Sequence, residues 1–143
     1  MKCSSLDTHN PFNIAALLMV DVSPRWLNGH TILDKNSNED TLEFAQFVQK
    51  ASLVCEFLSE RHVPLIVVEQ AHIERLNVSD LIEKTIAICG LYGGLCIKNV
   101  TGWLNQKNIE VIQVVDLIIW PPGEPPIGKL IADLFPTIRK RID

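Results

Sequence analysis

The chain has 143 residues, 47% of them hydrophobic, with 17 acidic against 13 basic side chains and a formal net charge of −4, which predicts a single domain built on one core. The acidic balance argues against a dedicated nucleic-acid surface, and no apolar run reaches the roughly 20 residues that span a bilayer, so neither nucleic acid nor membrane is expected as a partner. Met1-Lys2-Cys3-Ser4-Ser5-Leu6-Asp7 has no apolar signal core, and Cys3, Cys55, Cys89 and Cys96 follow no disulfide pattern; reduced thiols and a cytoplasmic location are the expectation.

Ile14-Ala15-Ala16-Leu17-Leu18-Met19-Val20 is apolar without alternation, the pattern of a parallel strand covered on both faces. Asp21 follows directly, and Pro24 ends the run. Residues 23–39 read as a loop, since Pro24, Asn28, Gly29, Asn36, Ser37 and Asn38 carry turn chemistry. Beginning right after Asp21, that loop is expected to overhang the strand's carboxyl end, with Arg25 and Trp26 as possible pocket residues and His30 as a surface histidine.

Asp40, with Glu43 three residues on, reads as a capping box. Phe44, Phe47, Val48, Ala51, Val54, Cys55 and Leu58 then recur at helical spacing, so one face packs on a sheet, and Cys55 belongs to that stripe as a small core hydrophobe. Val63 to Glu69 returns as a second buried strand, completing a right-handed βαβ unit. Residues 71–83 predict a short crossover with a helical segment from about Val78, capped by Asn77 or Ser79.

Ile86 onward is a third apolar strand, which enters a glycine-rich turn (Gly90, Gly93, Gly94) and then a helix opening at Cys96. Glycines at these positions allow positive φ and let backbone N–H groups converge on a small space. A thiol at a helix N-terminus is stabilised as thiolate by the helix dipole, so a lowered pKa is expected for Cys96. Ile97, Val100, Trp103 and Leu104 form the buried stripe of that helix, which closes at Asn105 to Asn108. Glu110 to Val115 is a fourth strand. Leu117-Ile118-Ile119-Trp120 then reads as exposed apolar sequence before Pro121, Pro122, Pro125 and Pro126. Ile127, Leu130, Ile131, Leu134 and Phe135 predict a short amphipathic helix that closes the sheet edge or buries against another subunit. The basic Arg139-Lys140-Arg141 reads as a solvated terminus.

The fold class expected from these elements is α/β, a small three-layer doubly wound parallel sheet. The strands before Asp21 and before Cys96 would flank its topological switch point, where ligand crevices form. For each residue a plainer account stands beside this one: Cys96 as a core cysteine, Asp21 as an acid satisfying turn amides, Glu69 and Asp116 as capping carboxylates.

Taken together, Val20-Asp21-Val22, Val63 to Gln70, Cys89-Gly90-Leu91-Tyr92-Gly93-Gly94-Leu95-Cys96-Ile97-Lys98-Asn99 and Val114-Val115-Asp116 resemble the isochorismatase-like cysteine hydrolases over most of residues 14 to 116. The resemblance implies a Rossmann-like topology, a Cys96 nucleophile, an Asp21 base, and an oxyanion site made by the backbone N–H groups of Tyr92 and Cys96, with a cis peptide at Leu91–Tyr92. It also implies a third, lysine member of the triad on a connection that is here only Ala71 to Glu83 and holds no lysine; Lys84 opens the strand leading to Cys89 and belongs at the far end of the sheet. Gln70 and His72 fall at possible pocket positions, but Gln70 stands where the family's metal site has an Asp, so no metal and no cofactor are expected. The implied activity is hydrolysis of a small-molecule amide or related C–N bond in a homo-oligomer, weak or absent without the lysine. The alternative is an inactive binding or oligomerisation module on the same fold.

Overall fold

The computed structural model describes residues 10–22 and 41–142, the side chains of residues 41–43 and 142 excepted. Four strands, β1 (Ile14–Val20), β2 (Leu65–Val68), β3 (Thr85–Leu91) and β4 (Glu110–Ile119), form one all-parallel sheet in the order β2-β1-β3-β4. The chain moves to one side of β1 to lay down β2, then to the other side for β3 and β4, so strand order reverses at β1 and leaves a switch point between the ends of β1 and β3. Helix α1 (Thr41–Glu60) connects β1 to β2, and α2 (Cys96–Gln106) connects β3 to β4. No helix among the described residues is long and apolar enough to cross a membrane.

β1 and β3 behave as their unbroken apolar sequence requires, whereas β2, expected to be buried over Val63 to Glu69, is a four-residue edge strand with Leu65 and Val67 exposed. Leu17, Leu18, Met19 and Val20 of β1 and Ile86, Ala87, Ile88 and Cys89 of β3 have no exposed surface, because both strands are interior and must be covered on each face. Helix α1 contributes Phe47, Val48, Ala51, Val54, Phe57 and Leu58 to the same core, and α2 contributes Ile97, Val100 and Leu104. Phe57, which the helical stripe does not single out, is buried and meets Phe135 edge-on with ring centroids 6.3 Å apart.

The second half of the chain departs from its sequence reading in three places. The connection after β2 is a 3-10 segment, Gln70–Arg75, and no helix starts at Val78. Asn77 instead closes a local turn, its side-chain oxygen accepting from the Ser79 N–H and hydroxyl. Strand β4 continues to Ile119, so Leu117 and Ile118 are buried and not an exposed apolar segment. The register between β3 and β4 moves from Ile88↔Gln113 to Gly90↔Ile118, and the resulting bulge turns Asp116 toward α1. There its carboxylate pairs with Lys50 at 2.7 Å and accepts the Ile131 N–H at 2.8 Å.

The predicted C-terminal amphipathic helix is divided into the helical turns Ile131–Leu134, Pro136–Ile138 and Arg139–Ile142. Ile131, Leu134 and Phe135 are buried, whereas Ile127 and Leu130 lie ahead of the helix and are exposed. Lys129 adds a single bridge to the outer edge of β4, donating to the Gln113 carbonyl and accepting from the Val115 N–H. The tail therefore closes that edge of the sheet.

Burial sets a pH limit on the core. It pushes the Cys55 thiol from an ordinary 9.0 to about 11 and holds Cys89 well above its usual range. Both groups keep their protons in the folded state after the unfolded chain has released them, so this contribution to stability is complete below the unfolded pKa and is lost as pH rises toward the folded one. Denaturant melts are expected to show stability falling above pH ~9, by at most about 1.4 kcal/mol per pH unit for each cysteine. Cys55→Ala should flatten the part of the decline that reaches up to about 11.

Candidate active site

Asp21 and Cys96 are brought together from the ends of neighbouring strands. Asp21 is the first residue past β1, and its backbone N–H donates to the Val68 carbonyl of β2 at 2.8 Å. Its φ of 58° is in the left-handed region, which Asp tolerates better than most non-glycine residues. One carboxylate oxygen accepts the Gln70 N–H at 2.9 Å. The acid is thus fixed at both its backbone and its side chain.

The turn between β3 and α2 is shaped by what lies against each glycine. At Gly90, with φ +116°, an added Cβ would collide with the backbone of Val20, so only glycine lets β3 pass this close to the end of β1. A Cβ at Gly93 would enter the indole ring of Trp120, and one at Gly94 would enter the carboxylate of Glu124. Trp120 is held in turn by its Nε1–H, which donates to the Val115 carbonyl at 3.0 Å. The Gly93 N–H donates to Ile119 at 3.0 Å, and the Tyr92 carbonyl accepts from both Leu95 and Ile97. The Leu91–Tyr92 peptide is cis, at the position the resemblance implies.

Cys96 opens α2, and the Asp21 carboxylate and the backbone N–H groups of Tyr92 and Cys96 all act on its thiol. The thiol is raised above its ordinary value, first by burial and then by the hydrogen bond and negative charge of Asp21; the two N–H groups oppose this and lose. The lowering expected from the helix terminus is therefore reversed, because burial and the adjacent carboxylate together outweigh half a dipole charge. The side chains of Tyr92 and Leu95, 42% and 52% exposed, flank the site at the surface.

The remaining candidates are divided. Gln70 reaches the site through its main chain, by the N–H bonded to Asp21. His72 is exposed on the 3-10 segment. Arg25 and Trp26, with His30 and the Asp40 cap, lie outside the described residues. Lys84 lines a polar hollow with Asn13, Ala15, Glu83 and Thr85 at the opposite end of the sheet, as its place at the start of β3 requires. Among the described residues, the side-chain charge acting on Cys96 is that of Asp21, and no three His, Cys, Asp or Glu side chains gather as a metal site.

The anchors from the tail, Trp120 and Glu124, are not visible in the sequence reading, because an aromatic and an acid among prolines carry no signal for what they cover. Asp116 takes the plainer of its two readings and serves Lys50 and Ile131. Compared with known proteins, the chain matches no family model, no curated protein and no solved structure.

Proposed function

We propose that this chain is an isochorismatase-like cysteine hydrolase that cleaves a small amide or related C–N bond. The observation that carries the proposal is the convergence on one thiol: the Asp21 carboxylate past the end of β1 and the Tyr92 and Cys96 N–H groups from the glycine turn all act on Cys96. The reversal of strand order at β1 supports the finer reading of the fold as a doubly wound sheet with helices on both faces.

In this mechanism the thiol does not rest as thiolate. Asp21 takes the proton from Cys96 Sγ as the sulfur attacks the carbonyl carbon, forming the C–S bond. The oxygen becomes negative and is held by the Tyr92 and Cys96 N–H groups. On collapse the C–N bond breaks, and the amine leaves with the proton returned by Asp21. Water, deprotonated by Asp21, then attacks the thioester; the carboxylic acid departs and the thiol recovers its proton. Glutamine's backbone at position 70 keeps the carboxylate aimed throughout.

A second reading, a binding module without catalysis, is favoured by one specific observation: among the described residues no cation offsets the Asp21 charge on the thiol, and the thiol is raised. The two are separated by supplying a panel of small primary and secondary amides and measuring amine release and acyl-enzyme mass. The hydrolase reading expects turnover with a thioester adduct on Cys96, and its loss by at least about 10³-fold in Cys96→Ser. No turnover and no thioester adduct on Cys96 across the panel would leave the module.

A further inference from the structure

The sheet has two unlike edges. That of β4 is bridged by Lys129, whereas β2 is a terminal strand that, among the described residues, is paired on one side only. The register shows which of its groups look outward. The Pro64 and Val68 carbonyls accept from Leu17 and Asp21 of β1, and alternation along a strand then directs the N–H and C=O of Leu65 and Val67 away from the sheet. The same two residues have side chains that are each 37% exposed. Pro64 points its missing donor toward β1, so the outer edge loses nothing by it. An edge of this kind is a template for another strand, and neither a charge nor a proline on the outward positions blunts it.

Two features select a second copy of this chain as the occupant. The outward groups lie on either side of Ile66, so a two-fold axis at that residue sets Leu65 opposite the partner's Val67, and each pair exchanges N–H and C=O in both directions. Charged side chains also flank β2, Glu60 beside Arg61 at one end and Arg75 beside Glu74 at the other. Arg61 and His62 precede it and Glu69 follows it. In the antiparallel arrangement the partner's Glu69 falls opposite Val63, next to His62, and the reciprocal contact forms at the other end. Arg61 keeps a 3.6 Å contact with Glu60 and stacks over the Phe57 ring, which holds it at this end of the strand.

Beside the same end lies a groove of about 530 Å³ lined by Cys55, Ser59, His62, Val63, Pro64 and Leu65. It is continuous with the open edge and lies where the residues of the partner's chain that follow β2 arrive. We propose that two copies of this chain associate through β2, antiparallel about Ile66, and so extend two four-stranded sheets into one. This surface takes the place of the Leu117 to Trp120 segment expected from the sequence, which is used inside the fold. The proposal is independent of any activity at Cys96.

Light scattering and sedimentation of the full chain test it. The wild type is expected at twice the 16.1 kDa chain mass, and Leu65→Lys/Val67→Lys at the single mass with an unchanged circular-dichroism spectrum, since both side chains are already exposed. Glu69→Lys should weaken the dimer, and added salt should do the same in the wild type. A symmetric pair at Ile66 places the two Cα atoms about 4.5 Å apart, within the roughly 4.4–6.8 Å that a disulfide spans, so Ile66→Cys should give an interchain bond at position 66 by peptide mapping under mild oxidation. A monomeric wild type at its highest soluble concentration overturns the proposal. So does a dimer that the double lysine variant leaves intact, which would put the contact elsewhere.

Discussion

Asp21→Asn is expected to lower the pH midpoint of Cys96 alkylation while lowering kcat/KM, on any amide the wild type turns over, by about 10²- to 10⁴-fold. The two effects have opposite signs for one reason. The carboxylate accepts the thiol's hydrogen bond and repels the thiolate, and both keep the proton on sulfur. Asparagine removes the charge but retains an oxygen for the Gln70 N–H, and it tolerates the φ of 58° at this position, so the turn should persist. With the charge gone, the Tyr92 and Cys96 N–H groups meet only burial as an opponent. The variant thiol becomes easier to alkylate near neutrality and worse at turnover, because no acceptor takes its proton during attack. Rates with iodoacetamide between pH 6 and 10 read the first effect. An unchanged or raised midpoint would show that the acid and the thiol do not meet in solution.

Gly90→Ala is expected to be the most destabilising single change of the site. Its Cβ would lie 2.7 Å from the nitrogen and 3.1 Å from the carbonyl carbon of Val20, and both belong to backbone in the centre of the sheet that has no room to move. A φ of +116° is strained for any side chain, whatever the space. Overpacking and backbone strain together suggest about 2–4 kcal/mol, or a Tm lower by roughly 5–15 °C. Since Asp21 directly follows Val20, the remaining folded protein should also show the Asp21→Asn effect on alkylation. Gly102→Ala, where a Cβ meets nothing and the residue is helical, is the control and should be neutral or slightly stabilising. A thermal shift of the same size in both variants would remove the close approach of β1 and β3 as the explanation.

The parts of this protein legible in its sequence are those with local causes. β1 and β3 announce themselves because a strand covered on both faces needs an unbroken apolar run, and Leu17 to Val20 and Ile86 to Cys89 supply one. The turn into α2 was visible in the spacing of Gly90, Gly93 and Gly94, and so was the meeting of Asp21 with Cys96, since each follows an interior strand. What was not legible depends on partners distant in the chain. Leu117 to Trp120 resembles surface until the bulge of β4 brings Asp116 to Lys50 and Trp120 to Gly93. For Cys96 the sequence sets a helix end that lowers the thiol's pKa against an Asp21 charge that raises it; burial, which depends on the folded packing, joins Asp21 and the shift is upward. Asn77 does accept the Ser79 N–H as a cap would, but the chain beyond it makes only turns, Leu81 donating to Val78 and Lys84 to Leu81.

The indole of Trp120 on Gly93 and the carboxylate of Glu124 on Gly94 have a consequence for how the thiol-bearing loop could be reused. It is not a portable cassette: transplanted as residues 86–99 onto another parallel scaffold, it would arrive without the plug that fills its concave side, and its main-chain donors would have nothing holding them in line. A faithful graft must carry the bulged fourth strand and the proline-bracketed turn after it, so the smallest transferable unit of this loop is a discontinuous pair of segments.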